Sequence, residues 1–349
     1  MPGPGPQNSD ADPLLAKRIN KAGFLAPKAT FRRGIYKSER VRRLVRWFDA
    51  VRYPPLAVEI TPDRLSLVRW SHRGSVEGLA VEALPAGAVV PSAVESNIVD
   101  LPGVQAALER ACDQLNAREG DAALLVPDPV IRVLVQHFEE FPRSRQEALP
   151  LLRWKLKKSV PFDVEEILLS YVRQAPREKG VNVVTALARV SVVRGYEDVL
   201  RAAKLRPGIV LSSSIAAAAL LEDERPTLLV RIAGSALTTA IVRGDVLCSY
   251  RCTDLPMGHN KLTPGALLEE IFPVAAYYQD TWQEAIQLIK VAGMGDRLPE
   301  FLTLFEEEFH CPVNSLLQSA IFDGRIPEDA RSLADHELEG LLGWMRHRA

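Results

Sequence analysis

The sequence is poor in the features that usually announce a function. No apolar run approaches the roughly 20 residues that a membrane-spanning helix needs. The first residues, MPGPGPQNSDADP, lack the apolar core of a secretory signal. The four cysteines, Cys112, Cys248, Cys252 and Cys311, are scattered. Cys248 and Cys252 stand four apart in a strand-like stretch, a poor spacing for zinc, and no histidine pair accompanies them. They read as buried free thiols, which places the protein in a reducing cytoplasm. The six histidines are dispersed, so no metal centre is expected. There is no Gly-x-Ser-x-Gly elbow and no Walker loop. A net charge of −1 gives no global pull toward nucleic acid or membrane.

What is present is an ordinary globular composition, 47% hydrophobic and 25% charged, in a 349-residue chain with room for two domains. The charge is unevenly placed. Lys17, Arg18, Lys21, Lys28, Arg32, Arg33, Lys37, Arg40, Arg42, Arg43 and Arg46 crowd one segment in which only Glu39 opposes them. Residues 1 to about 30 are rich in Pro, Gly and polar residues and read as disordered. In 36–51, Val41, Leu44, Val45 and Phe48 recur at helical spacing among arginines. Such a helix fits an anionic membrane surface, each cation near it contributing about 1 kcal/mol. It equally fits a helix packed on its own domain with solvated arginines. Nucleic-acid binding is not expected, because the aromatics of a single-strand stacking platform are not interleaved with these cations.

From Leu56 the chain alternates. LAVEITPDRLSLVRWSHRGSVEGLAVEAL reads as strand, turn, strand, turn, strand. Val104, Leu108, Ala111 and Leu115 then mark a helix, and AALLVPD a strand ended by Pro127. IRVLVQHFEEFP is a further strand. The helix SRQEALPLLRWKLKKSV follows, opened by Ser144 with Glu147 three residues on. Strands ILLSYVRQ and NVVTALARVSVV, helix GYEDVLRAAKL and a strand-to-helix stretch PGIVLSSSIAAAALL come next. Near Pro226 the opening plan repeats. TLLVRIAGSALTTAIVRGDVLCSYRCTDLP again gives three strands, with Arg243-Gly244 standing where Arg73-Gly74 stood. A duplicated α/β unit predicts two similar domains facing one another across a cleft. The last stretch, ADHELEGLLGWMRHR, reads as an amphipathic helix.

That duplicated plan resembles the actin and sugar-kinase superfamily. Within it the chain resembles the PilM family, actin-like proteins of the type IV pilus assembly platform. Three stretches carry the resemblance: Arg153 to Glu166, RWKLKKSVPFDVEE, ahead of ILLSYVRQ; LPMG (255–258) with Leu262-Thr263; and KVAGMG (290–295) with LPEF (298–301). The resemblance covers about 55 to 345. It implies an actin-like two-domain α/β fold with a central cleft and a small inserted subdomain. Residues 1–50 are then a disordered and basic leader. Residues 51–127 with 180–224 form the first actin-like domain, joined by a C-terminal helix at 333–349. Residues 128–179 are the insertion, and 225–332 the second actin-like domain.

The resemblance also implies function. A PilM-like protein is a cytoplasmic scaffold held at the inner membrane through its partners, in a type IV pilus or type II secretion platform. It binds the short cytoplasmic tail of a PilN-like membrane protein in a groove beside the small subdomain and connects to motor or platform proteins. Trp154, Lys155, Lys157 and Phe162 become the candidate partner-binding residues. The two aromatics equally fit the core of that subdomain. The alternative reading is an active ATPase or kinase of the superfamily, which would use ATP and Mg²⁺.

Against the alternative, both phosphate turns of the superfamily are altered. The first reads Glu59-Ile60-Thr61-Pro62-Asp63: a longer acid replaces Asp, Thr61 replaces Gly, and Pro62 has no N–H to donate. Ser66 aligns with the lysine often found nearby. The second reads Arg231-Ile232-Ala233-Gly234-Ser235, with arginine where a metal-side carboxylate belongs. Gly234, Ser235, Gly293 and Gly295 are the cofactor-binding candidates should a nucleotide bind. Glu59 and Arg231 are expected to project into one cleft as an ion pair. Glu306-Glu307-Glu308 read as a solvated helix face, and no catalytic residue is assigned.

Overall fold

The structure is a computed structural model that describes residues 54–348, apart from 72–74, 158–159, 161–162, 177–179, 222, 256–261 and 325. The expectations for the 1–50 leader, its 36–51 segment and Phe162 fall outside the described residues.

Two five-stranded sheets carry the duplication. In the first, β1 (Leu56–Ile60), β2 (Arg64–Trp70) and β3 (Val76–Ala83) form an antiparallel meander. β4 (Gly120–Val126) and β8 (Leu205–Ser212) extend it in parallel on the β1 side, giving the order β3-β2-β1-β4-β8. The second sheet repeats this as β11-β10-β9-β12-β13. Its meander is β9 (Thr227–Ala233), β10 (Ala236–Arg243) and β11 (Val246–Asp254), and β12 (Leu288–Ala292) and β13 (Val313–Ser315) follow in parallel. Gly234 and Gly244, at φ 61° and 55°, make the tight turns of this meander, a conformation that a Cβ would strain.

Helices cover the sheets. α1 (Leu101–Gln114) starts where the Asp100 carboxylate accepts the Gly103 N–H at 3.0 Å, and it buries Val104, Ala107, Leu108 and Ala111 at helical spacing. α3 (Val190–Ala202) leads into β8, and the short α4 (Ser213–Ala217) follows it. On the second sheet lie α5 (Pro264–Trp282), α6 (Leu298–Phe309) and α7 (Leu316–Phe322). α8 (Arg331–Asp335) and α9 (Glu339–Arg348) return the chain to the first domain. There Leu341, Leu342, Trp344 and Met345 join its core. α9 approaches α4 so closely that a Cβ on Gly343 would lie 1.9 Å from the Ala216 carbonyl oxygen.

Inserted between β4 and α3 is a three-stranded antiparallel sheet, order β5-β7-β6, made of β5 (Arg132–Phe138), β6 (Ile167–Pro176) and β7 (Val181–Arg189). α2 (Arg145–Leu156) lies on it, burying Ala148, Leu152 and Leu156 against Phe138, Phe141 and Ile167. The sequence-based boundary at 179 is too early. Val181–Arg189 is the central strand of the small sheet rather than part of the first domain, and helix begins at Val190 where the strand was expected to continue. β7 is buried along eight of its nine residues, so it shows no alternation that would assign it to a sheet. At the N-terminus of α2, Ser144 Oγ accepts the Gln146 N–H at 3.2 Å.

The core beneath the first sheet does not stop at the domain boundary. Leu229, Ala240, Val242 and Tyr250 of the second sheet, with Leu316 and Leu317 of α7, belong to the same apolar cluster. The opposite face of the second sheet packs separately on α5 and α6 through Leu228, Val230, Ile232, Leu267 and Phe301. The small subdomain also touches the second domain, where Gln174 Nε2 donates to the Leu247 carbonyl at 2.8 Å.

Candidate functional site

Strand periodicity places the centre of the molecule. Along β9, Leu228, Val230 and Ile232 face the second core, so Leu229 and Arg231 face the joint between the domains. Arg231 is 4% exposed and meets carboxylates from three directions. Its Nη2 is 3.9 Å from Glu59 Oε1 of β1 and 3.6 Å from Glu339 Oε2 at the start of α9. Its Nη1 is 3.5 Å from Asp128 Oδ2, just past β4, and donates to Ser214 Oγ at 3.2 Å. All three carboxylates are buried.

Asp128 is the most heavily hydrogen-bonded of them. Ser212 Oγ donates to it at 2.5 Å, the Ser214 N–H at 2.9 Å and Thr238 Oγ1 at 2.9 Å. Ser214 Oγ donates as well, and the Tyr250 hydroxyl stands at 3.4 Å. These donors come from the β8–α4 junction, β10 and β11, so one carboxylate ties both sheets together. Among the described residues neither Glu59 oxygen has a hydrogen-bond partner, and neither has the hydroxyl of Ser66, its cross-strand neighbour on β2.

The electrostatics follow. Burial works against the charge on Arg231, but Glu339, Asp128 and Glu59 outweigh it and hold the guanidinium above its ordinary pKa. Burial raises the Glu339 carboxyl; Arg231 opposes that rise, and the Glu59 charge adds to it. Burial also pushes the Tyr250 hydroxyl well up, with the Asp128 charge acting in the same direction.

The two altered turns lie against each other. A Cβ on Gly234 would sit 3.5 Å from Pro62 Cγ. The Thr61 N–H is spent on the Arg64 carbonyl at 2.9 Å, and the Thr61 hydroxyl lies 2.8 Å from Asp63 Oδ1. The Ser235 carbonyl accepts the Leu255 N–H at 2.6 Å. Gly293 has a packing reason to be glycine: its φ is 74°, and a Cβ there would lie 1.8 Å from the Ile232 carbonyl oxygen. Gly295 turns at φ 50° near Glu337. A guanidinium thus stands among the three carboxylates, and the two turns touch through Pro62 and Gly234.

The partner-binding candidates separate on the small subdomain. Trp154 is 75% exposed on the outer face of α2. With Leu149, Pro150, Arg153, Lys157 and Glu165 it lines an open depression. Pro150 and Trp154 are four apart and so share a helix face. Arg153 reaches Glu165 at 3.6 Å. Lys155 turns the other way: its Nζ is 3.9 Å from the centre of the Phe138 ring and donates to the His137 carbonyl at 3.2 Å. Lys155 is therefore part of the subdomain's packing.

Three features escaped the sequence reading. Asp128 precedes a proline and looked like a strand-ending turn, and Glu339 lay in a helix read only for its amphipathicity. The signal available was the polar triplet Ser212-Ser213-Ser214 at the end of an apolar strand, fully buried in the structure. The third is an apolar slot between the small sheet and the first domain, lined by Ile131, Leu168, Ser170, Ala186, Val193 and Val210.

No family model and no curated protein matches the chain in sequence. Solved structures do match in fold. The "PilM-PilN type IV pilus biogenesis complex" superposes with a TM-score of 0.61 at 18% identity, covering 86% of this chain and 99% of that one. The cytoplasmic domain of EpsL, an inner-membrane component of the type II secretion system of Vibrio cholerae, matches at a TM-score of 0.43 and 12% identity, covering 68% and 81%. A Bacteroides thetaiotaomicron protein with an actin-like ATPase fold matches at 0.43 and 10%, covering 84% and 97%. The fold is actin-like. Among the described residues no helix is long and apolar enough to cross a membrane.

Proposed function

We propose that this chain is a PilM-like scaffold of a type IV pilus or type II secretion platform, without catalytic activity and with nucleotide binding weak or lost. The observation that carries the non-catalytic reading is the joint itself. Arg231 supplies, as part of the chain, the positive charge that a metal would bring, and Pro62 and Gly234 meet where phosphates would have to enter. The protein works in the cytoplasm, at the inner-membrane face, through its partners.

The partner is the cytoplasmic tail of a PilN-like membrane protein, by likeness to the complex with which the fold superposes. Its docking surface is the depression at Trp154. Leu149, Pro150 and Trp154 supply apolar floor, and Arg153 and Lys157 supply charge. A tryptophan 75% exposed is costly to leave in water, and aromatic anchors of this kind dominate binding energy when covered. Calorimetric titration with the tail peptide tests this. Trp154→Ala should weaken binding at least tenfold without changing stability. Loss of binding in Leu168→Gln instead would move the tail to the apolar slot. The opposite class, an active ATPase or kinase, is tested by thermal shift with ATP and Mg²⁺. A ligand that binds the folded state raises its stability by mass action, so no shift is expected at millimolar ATP.

A further inference from the structure

The charge balance at the joint leaves an excess to be accounted for. Glu59, Asp128 and Glu339 surround Arg231. Asp128 receives hydroxyl and N–H donors from both domains and lies beside the guanidinium. That pair is neutral. Two further buried acids remain, both directed at the same Arg231 nitrogen. Glu59 Oε1 lies only 2.7 Å from where a Cβ on Gly340 would be, so it sits beside the first turn of α9, next to Glu339. Both Glu59 oxygens are buried without any donor. A buried ionised carboxylate that accepts nothing is among the costliest arrangements a fold can hold, and a second one beside it is costlier still. One proton removes both costs, since it cancels one charge and supplies the missing donor. Two carboxyls in contact with a common site share a proton for this reason.

We infer that the joint is a proton-binding site in which Glu59 and Glu339 hold one proton between them while Asp128 and Arg231 stay charged. β2 contributes the Ser66 hydroxyl, opposite Glu59. β11 contributes Tyr250, neutral and directed at Asp128, and Cys252 beside it, whose thiol burial pushes up to about 12. The turn before α9 contributes Glu337, whose charge also disfavours ionisation of Glu339 and whose carbonyl accepts from Arg64 Nη2 at 2.9 Å. Among these groups Arg231 is the cation that faces the two acids, and it is already balanced by Asp128. The site joins β1, β9 and α9, so the proton is bound only when the domains are closed and the last helix is seated. Whatever parts them releases it, and acidity favours the closed form.

The test reads protons directly. In full-length protein carrying carbon-13 in glutamate side-chain carboxyls, the infrared spectrum at neutral pH should contain the C=O stretch of an un-ionised carboxylic acid. An E59Q/E339Q double variant should lose that band. Calorimetric unfolding in buffers of different ionisation enthalpy should show one proton fewer released by the variant than by the unmodified chain. A neutral-pH spectrum of the unmodified chain with carboxylate bands alone overturns the inference, and needs no variant. A band that persists in the double variant, or equal proton release from both proteins, overturns it as well.

Discussion

Replacing Arg231 by methionine isolates the contribution of the central cation. The side chain is unbranched and of roughly similar length, so most of the buried volume is kept while the charge is removed. What is lost is the countercharge of Asp128 and the donor to Ser214 Oγ. Removing one member of a buried ion pair costs about 3–5 kcal/mol, because the other is left uncompensated. With a urea dependence of about 2 kcal/mol per molar, the unfolding midpoint should fall by about 2 M. The loss must depend on pH. Without Arg231 the burial that raises the Glu339 carboxyl loses its main opposition, so that group keeps its proton to higher pH in the native state than in the unfolded chain and the native state binds more protons between the two values. Stability of the variant therefore falls as pH rises above the ordinary glutamate range and recovers on acidification, by up to 1.36 kcal/mol per pH unit for each proton. Urea unfolding from pH 4 to pH 8, followed by backbone and aromatic circular dichroism, measures both effects. A loss below about 1 kcal/mol at neutral pH, or one equally large at pH 4, would refute the reasoning.

Three further expectations rest on separate contacts. Gly343→Ala forces a methyl to 1.9 Å from the Ala216 carbonyl and should cost about 1–3 kcal/mol or more in thermal unfolding, whereas Gly265→Ala, with nothing within 4 Å, should cost nothing and gain up to about 1 kcal/mol. Lys155→Glu, which places an anion over the Phe138 ring and removes the bond to His137, should lose about 1–2 kcal/mol; Lys157→Glu should stay within about 0.5 kcal/mol. Burial, with Asp113 and Glu109 nearby, pushes the Cys112 thiol up to about 11, so alkylation by iodoacetamide at neutral pH should be slow until denaturant is added; rapid labelling of the native protein, located by mass spectrometry, would contradict that burial.

Local patterns were readable in the sequence wherever one element reports on itself. The two meanders were legible because alternation and glycine turns recur in the same order, as at Gly244. β7 was assigned to the wrong sheet because eight of its nine residues are buried, and a strand covered on both faces carries no directional signal. Trp154 was ambiguous for a related reason. α2 has only Ala148, Leu152 and Leu156 as its inner stripe, so a tryptophan among arginine and lysines could face either way. Glu59 and Arg231 could be proposed as partners from their places in equivalent turns. Asp128 and Glu339 could not, since their roles exist only after β10, β11 and α9 converge on them.

The return of α9 to the first domain also sets an order of events during synthesis. A ribosome delivers β1 to β8 and the small subdomain before any of the second domain exists, and domains generally fold as they emerge. Yet Leu341, Leu342, Trp344 and Met345 complete the first domain's core, and Glu339 completes the joint, only after the whole second domain has been made. Until then the nascent first half displays an unfilled apolar groove along α4, with Glu59 uncovered beside it. The first domain is thus closed by a helix made after the second domain, and a chain stalled or shortened before α9 would carry that groove open to chaperones and proteases.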